Sequence, residues 1–441
     1  MSTPTDDDAA FRAAIRQLFA RQPNRMVPDL DRIRALADLL GHPEQAYPAI
    51  HVTGTNVKTT TAGMVSALLG SLGLSAGTYT SPHLQDVRER IRVAGEPVDR
   101  GAMASGLAYL EPFVERVDRE HPDPVTFFEV LTAAAFVHFA DAPVDVAVVE
   151  VGMGGRWDAT NIIDGQVAVL TDISLDHGEL GTRLEAVADE KSGIIKPDAT
   201  VVSAAQPDEA MSVVEAAARA AGGRLVVAGR DFGIMDRTAG VGGQQLQLRG
   251  VTGDVGDIFL PLHGLHQAAN AAYALVAVEA FLGFAGGIDP DVIREGFAAV
   301  RSPGRLEVVR FEGEAPVILD GAHNPAGMRS LAIAMANEFA FRHRVVVLGI
   351  LGDKDIEAMV AELQPVADHV VVTQPPTERA APADQLEKVV LASGMSVETA
   401  PTVEEALERA RGVASNLDAV VVTGSLYTVG AARDALGLEP A

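Results

Sequence analysis

Residues 51–61 read His-Val-Thr-Gly-Thr-Asn-Val-Lys-Thr-Thr-Thr. Small residues, one lysine and three successive hydroxyls lie between an apolar run (Ala49, Ile50, Val52) and a helical apolar pattern (Met64, Val65, Leu68, Leu69, Leu72). This combination suits a nucleoside triphosphate. Backbone N–H groups at a helix N-terminus face phosphates, Lys58 adds a positive charge, and a hydroxyl holds Mg²⁺. A full G-x-x-x-x-G-K-[ST] pattern fails twice, with Val52 and Val57 at the glycine positions. Val57 matters more, because a glycine before the lysine keeps the phosphates uncrowded and permits positive φ. Taken alone, the segment also fits an ordinary strand–turn–helix junction.

Six further groups carry polar chemistry. Tyr79-Thr80-Ser81-Pro82-His83-Leu84 precedes Arg88-Glu89-Arg90-Ile91-Arg92. Ser81 is a candidate metal ligand and the basic residues a candidate anion site; a turn followed by a charged strand edge explains them equally. Glu150 closes an apolar run and is followed by Gly152-Met153-Gly154-Gly155, Arg156, Asp158 and Asn161. A carboxylate so placed ligates Mg²⁺ beside a hydroxyl and phosphate oxygens, or it caps a helix. Asp176-His177 and Glu190-Lys191-Ser192-Gly193-Ile194-Ile195-Lys196 follow. A lone histidine is commonly structural, and a helical lysine is commonly solvated. Pro303-Gly304-Arg305-Leu306-Glu307 and Leu319-Asp320-Gly321-Ala322-His323-Asn324-Pro325 each read as turn chemistry on their own. The specific signal is the order and spacing of all seven groups along one chain.

The elements that must position these groups alternate. Apolar periodicity predicts helices within 8–40 and over 59–73, 99–120, 125–140, 184–194 and 267–281. Short apolar runs at 146–149, 167–170 and 200–203 predict buried parallel strands. Residues 223–262, rich in Gly, Val and alternating polar residues, predict a small β-rich section. Ser302-Pro303-Gly304 reads as a linker, and the apolar runs at 316–319, 345–348, 370–372 and 419–422 predict a second α/β unit. Strands alternating with helices imply an α/β fold whose ligands bind beyond the strand C-termini, where the polar groups fall.

Composition sets outer limits. The 441 residues suffice for two or three domains. A net charge of −25 argues against nucleic acid or an anionic membrane as the main partner, while leaving room for small anions in a locally basic pocket. With no cysteine, disulfides, thiolate metal sites and cysteine nucleophiles are excluded. Met1–Ala10 lacks the basic and apolar regions of a signal peptide. No apolar run approaches the ~20 residues of a membrane span, so a soluble cytoplasmic protein is expected.

The seven groups, with Gly349–Asp355 and Val422–Gly430, resemble the dihydrofolate synthase/folylpolyglutamate synthase family of the Mur ligase superfamily. The resemblance covers roughly residues 25–435, and the Tyr79–Leu84 and Gly152–Asn161 segments point to the folate branch. It implies an N-terminal P-loop-type Mur ligase central domain with a mostly parallel sheet, residues 1–301, binding ATP and folate. A smaller C-terminal Rossmann-like α/β domain, residues 302–441, would be the glutamate-ligase domain. The implied activity joins L-glutamate to dihydropteroate, to folates, or to both, through an acyl phosphate made with ATP. Such chemistry needs positioning and charge neutralisation rather than a nucleophilic side chain.

The resemblance also implies roles. Lys58 contacts the β/γ-phosphates, with Thr55, Asn56 and Val57 in the same loop. Thr59 or Thr60 supplies a hydroxyl for Mg²⁺ or phosphate; the choice stays open, because the folate branch commonly has Lys-Gly-Ser where this chain has Lys-Thr-Thr. Ser81, Glu150 and His177 match Mg²⁺ ligands. Lys191 matches the lysine that is carbamylated in the superfamily, whose new negative charge helps hold a second Mg²⁺. Asn270, Arg305 and Asp320 match nucleotide contacts, and His323 is a catalytic residue nearby, where the domains close. Thr80, Pro82, His83 and Arg90, with Gly154, Arg156 and Asp158, match the pterin-bearing substrate's site. The family leans towards monomers.

Three departures stand out: Val57, Val87 where many members have an aromatic residue, and a segment after His177 that is one residue short. Two other readings remain beside the leading one. One is a related ATP-dependent amino-acid ligase acting on a different acid. The other is a non-catalytic paralogue that binds nucleotide or folate, for which Val57 is the argument.

Overall fold

The computed structural model describes residues 6–22, 27–175 and 181–440. Asp176, His177 and the shortened stretch after them therefore lie almost wholly outside the described residues. The chain begins with α1 (Asp6–Phe19) and α2 (Asp31–Leu40), then β1 (Ala49–Thr53), α3 (Lys58–Ser71), β2 (Ala76–Tyr79), β3 (Ile91–Val93) and β4 (Glu96–Pro97). Next come α4 (Arg100–Glu120), α5 (Phe127–Asp141), β5 (Val146–Glu150), β6 (Gly165–Leu170), α6 (Leu184–Ser192), β7 (Thr200–Ser203), α7 (Asp208–Ala220) and β8 (Leu225–Val227). Three strands follow, β9 (Gly233–Gly240), β10 (Gly243–Arg249) and β11 (Asp254–Leu260), then α8 (Leu265–Phe281) and α9 (Pro290–Ala298).

The eight-stranded sheet runs β4-β3-β2-β5-β1-β6-β7-β8. It is parallel from β2 to β8, with β3 and β4 joined antiparallel at one edge. β1 and β5 are buried along their whole length. Helices cover both faces, so the strands are apolar throughout instead of alternating. One face packs on α3, α8 and α9, the other on α1, α2, α4 and α5. β9–β11 form a separate antiparallel sheet against α8. α8 is thereby enclosed on nearly all sides, which explains its run of Ala, Val and Leu with little amphipathic character.

The rest of the chain contains β12 (Glu307–Val309), β13 (Val317–Leu319), α10 (Pro325–Glu338), β14 (Arg344–Leu348), α11 (Ile356–Leu363), β15 (His369–Val372) and α12 (Ala383–Ala392). It ends with β16 (Ser396–Thr399), α13 (Val403–Val413), β17 (Ala419–Thr423) and α14 (Leu426–Ala435). Its six-stranded sheet, β12-β13-β17-β14-β15-β16, is parallel except for β12. α10–α12 cover one face, and α13 and α14 the other. Among the described residues, no helix is long and apolar enough to cross a membrane.

Register places the chemistry. Val52 of β1 pairs with Glu150 of β5, Tyr79 of β2 with Val149, and Thr53 with Leu170 of β6. The loop after β1 therefore emerges beside Ser81, Glu150 and Asp172, at the carboxyl edge of the sheet.

Candidate active site

The phosphate-type loop is fixed from several sides. Thr55 N donates to the Asp172 carbonyl (2.8 Å), its hydroxyl to the Ser174 carbonyl (2.9 Å), and Asn56 Nδ2 reaches Asp172 Oδ2 (3.4 Å). Thr171 Oγ1 donates to the Asn56 carbonyl at 2.8 Å. Val57 caps α3 in the left-handed conformation, φ 59° and ψ 7°. The chain thus adopts the glycine geometry with a β-branched residue, at a cost of about 1–2 kcal/mol. Lys58 opens α3, with Nζ 3.2 Å from the Thr55 carbonyl. The N–H groups of this first turn have no intrahelical partners and would favour an anion at the loop.

The strain at Val57 is already present in the ligand-free chain, so its relief bears on folding. A phosphate bound in this loop would instead meet the isopropyl group. Val57→Gly is expected to lower the KM for ATP severalfold or to raise kcat. Its Tm should stay within a few degrees, because relieved strain is offset by glycine's extra unfolded-state freedom of about 0.5–1 kcal/mol. Steady-state kinetics and a thermal melt check this; unchanged KM and kcat would remove the crowding argument.

Glu150 is 1% exposed. Its carboxylate accepts from Thr59 Oγ1 (2.9 Å) and from Ser81 N (3.0 Å). Burial pushes its pKa above the ordinary value, opposed mainly by Lys58. Thr60, the other candidate hydroxyl, instead pairs with Ser302 Oγ at 2.9 Å, tying α3 to the 302–304 linker. A buried carboxylate beside the Thr59 hydroxyl and Ser81 is an oxygen-donor set that suits Mg²⁺, a hard cation usually bound through one or two carboxylates plus substrate phosphates. Among the described residues no group of three His, Asp or Glu side chains could hold a metal alone.

Lys191, 4% exposed, lies in the last turn of α6 and donates from Nζ to the Gly54 carbonyl at 2.7 Å. α6 is locked to the 152–161 loop. A Cβ on Gly155 would lie 2.8 Å from the carbonyls of both Glu190 and Lys191, so a side chain there would push the helix away. Arg156 N donates to the Glu190 carbonyl (2.9 Å), and its guanidinium pairs with Asp189 (3.1 Å). Trp157, the sole tryptophan, is 49% exposed here, with its backbone N–H donating to Glu190 Oε1. Gly154 accepts from Thr53 Oγ1 at 2.7 Å. Asp158 accepts from Met153 N, Thr160 N and Thr160 Oγ1, so its carboxylate shapes this loop. Since Thr160 donates to Asp158, it accepts from His51 Nε2–H (2.9 Å); burial lowers the His51 pKa to about 3 and keeps the ring neutral.

In the 79–92 segment, Thr80 N donates to the Arg90 carbonyl at 2.9 Å, and the Ser81–Pro82 peptide is cis. Arg90 Nε donates to His83 Nδ1 at 2.9 Å, and the guanidinium lies 5.2 Å over the Phe127 ring. Burial, then Arg90, lowers the His83 pKa to about 4. Val87 is 4% exposed and packs in the core with Phe11 and Val98. The Val87 side chain therefore faces the core in this structure.

The second sheet supplies the opposite wall. Asp320 accepts from Leu306 N and Ala322 N, both at 3.0 Å, and burial pushes its pKa up to about 6 against the pull of Arg305. The Arg305 charge also acts on Glu150 and, second to desolvation, on half-buried His266, whose pKa falls to about 4. Asn270 Nδ2 donates to Gln267 Oε1 at 2.9 Å, while its buried Oδ1 is unpartnered. His323 Nδ1 lies 2.8 Å from the Gly321 carbonyl, so Nδ1 carries the proton and Nε2 is the basic nitrogen. Asn324 Nδ2 donates to Asn56 Oδ1 at 3.1 Å, joining the two α/β units at the phosphate loop.

Two functional groups escaped the sequence reading. Glu89 looked like part of a charged strand edge. It is 6% exposed and gathers the N–H groups of Leu84, Gln85 and Asp86 (2.7, 3.1 and 2.9 Å), building the turn that carries His83. The Asp86-x-x-Glu89 spacing is a capping-box signature and was the available signal. Arg433 joins Gln85, Glu307 and the Glu439 carbonyl, and no local motif marks it.

This arrangement is that of the Mur ligases. The Mur ligase middle domain family matches residues 52–278, and the Mur ligase glutamate ligase domain matches 304–426. The protein is thus an ATP-dependent amide-forming ligase. Among its relatives, dihydrofolate synthase/folylpolyglutamate synthase of Mycobacterium tuberculosis is 44% identical over 99% of this chain and 96% of its own length. The enzyme of that name from Bacillus subtilis is 33% identical over 97% and 99%. The structure of Mycobacterium tuberculosis folylpolyglutamate synthase complexed with ADP superposes with a TM-score of 0.94, at 44% identity over 99% and 100% of the two chains. That of Thermotoga maritima folylpolyglutamate synthase gives 0.86, at 34% identity over 97% of each. The chain belongs to the dihydrofolate synthase/folylpolyglutamate synthase family.

Proposed function

We propose that this protein joins L-glutamate to dihydropteroate, to folates, or to both, with ATP cleaved to ADP and phosphate. The observation that carries this is the convergence of Lys58, Thr59, Ser81 and Glu150 at one sheet edge, with Asn324 of the second unit bonded to the same loop. In the first step the acid's carboxylate oxygen attacks the γ-phosphorus and ADP leaves. In the second the glutamate amine attacks the acyl carbon and phosphate leaves.

The residues divide the work. Lys58 and the first-turn N–H groups of α3, with Thr55, Asn56 and Val57 around them, hold the β/γ-phosphates. Thr59, Ser81 and Glu150, with His177, would hold Mg²⁺, which when bound neutralises phosphate charge. A carbamate on Lys191 would supply the anion for a second Mg²⁺. The unpartnered Asn270 Oδ1 fits an exocyclic amine of the base, while Arg305 and Asp320 orient the rest of the nucleotide. His323 Nε2 takes the proton released by the attacking amine. The cis Ser81–Pro82 turn with Thr80, His83 and Arg90, and the loop with Gly154, Arg156 and Asp158, shape the pterin-bearing substrate's site. We place the domain boundary at 301/302 and expect a cytoplasmic monomer acting on small molecules.

The non-catalytic reading rests on Val57 alone. Val57 nevertheless adopts the left-handed cap and Lys58 opens the helix, which supports a working site. The deciding assay supplies ATP, Mg²⁺ and glutamate with either dihydropteroate or tetrahydrofolate and measures phosphate release. Glutamate-dependent release is expected. Release with neither pteridine substrate rejects the assignment, and release with another acid identifies a different amino-acid ligase.

A further inference from the structure

α10 is pinned at both ends. Its N-cap, Asn324, bonds Asn56 in the phosphate loop at 3.1 Å. Its last residue, Glu338, has a side chain only 3% exposed and pairs with Arg237 of β9. Glu338 Oε2 also accepts from Gly264 N, the N-cap of α8, at 2.9 Å, and lies 3.5 Å from His263 Nδ1. Arg237 Nε is held in turn by Gln244, whose amide donates to the carbonyls of Leu262 and Gly264 (2.8 and 3.1 Å).

A carboxylate at the end of its own helix is unfavourable by the helix dipole, whereas at the start of another helix it is favourable. Glu338 therefore gains only when α10 is docked on α8. Two anchors about 21 Å apart along a 14-residue rod fix its orientation; the Gln85–Arg433 contact holds the second unit elsewhere, so Glu338 is the anchor on the α8 side. The same rod carries His323 and Asn324 at its start, and α8 carries Asn270 one turn and a half beyond Gly264.

We propose that Glu338, through Arg237 and Gly264 N, is a positioning residue for the nucleotide. It docks the second α/β unit on α8, so that Asn324 and His323 meet the phosphate loop while Asn270 faces the same ligand. The hydrogen bonds from Gly264 N and Arg237, with the His263 ring nearby, outweigh burial and hold the carboxyl at about 2, so the anion persists at neutral pH. The inference rests on the ligase reading, in which Asn270 and the phosphate loop share one ATP.

The test uses the full chain with Glu338→Ala, Glu338→Gln, Arg237→Met and the Glu338→Ala/Arg237→Met double variant. Glu338→Ala is expected to raise the KM for ATP and the calorimetric Kd for ADP at least tenfold, with kcat at saturating ATP reduced less than threefold. It should also increase the nucleotide-free radius of gyration in small-angle scattering, and saturating ADP with Mg²⁺ should restore the wild-type value. Glu338→Gln, which keeps the acceptor for Gly264 N, should fall between. The double variant should be no worse than Glu338→Ala. Wild-type ADP affinity and radius of gyration in Glu338→Ala overturn the proposal, even if its Tm drops. Scattering and ADP binding need no turnover, so failure of the folate assay leaves this test intact.

Discussion

Glu150→Gln is expected to lower kcat by about 10²–10³-fold, the range for losing one preorganised electrostatic element, while Tm holds or rises. The two signs have one cause. The carboxylate is 1% exposed, and its hydrogen-bond donors Thr59 Oγ1 and Ser81 N are neutral, with Lys58 acting only at longer range. Burying that charge costs stability, and on the proposed metal role its value would appear when Mg²⁺ and ATP arrive. Glutamine keeps the shape and an acceptor for Ser81 N but removes the charge. Phosphate release titrated with Mg²⁺, beside a thermal melt, checks both halves. A kcat within threefold of wild type would take Glu150 out of the metal site.

Lys191→Arg is expected to abolish measurable turnover. Arginine keeps a cation and a donor for the Gly54 carbonyl, now at 2.7 Å from Nζ, but it does not form the carbamate. If Lys191 acted as a simple cation, arginine would preserve part of the activity. Carbamylation reverses the sign of the group, so arginine is as damaging as alanine. Since a buried arginine could disturb the fold, a second measurement stands on the wild-type protein. Labelled bicarbonate should give a lysine carbamate signal by carbon NMR, and bicarbonate-depleted enzyme should lose activity and regain it on resupply. Active Lys191→Arg, or no carbamate signal with activity indifferent to bicarbonate, refutes the modification.

Much of the fold was legible because central parallel strands announce themselves. Val146–Val149, Val167–Leu170 and Ala419–Val422 are uninterrupted apolar runs, as strands covered on both faces require. β16 was missed because it reads Ser-Val-Glu-Thr at a sheet edge, only partly buried. α9 was missed although Asp289-Pro290 marks its start, since its flanking glycines look like loop. The placement of the candidate site was legible where it depends on local sequence: Val57-Lys58 after β1, Glu150 at the end of β5, Asp320 after β13. It was illegible where a role depends on distance along the chain. Glu338 and Arg237 are separated by 101 residues, and Arg433 and Gln85 by 348. No spacing rule links such pairs; only the docked units bring them together.

The sole tryptophan occupies an unusual place. Trp157 stands half-exposed in the loop that packs on the Lys191 helix. In most chains of this length intrinsic emission averages over several indoles. Here all indole emission, selected by exciting beyond the absorption of the five tyrosines, originates at one address, two residues after the glycine that abuts α6. The molecule thus carries its own unlabelled optical gauge beside the chemistry, readable in a stopped-flow cell without altering a single residue.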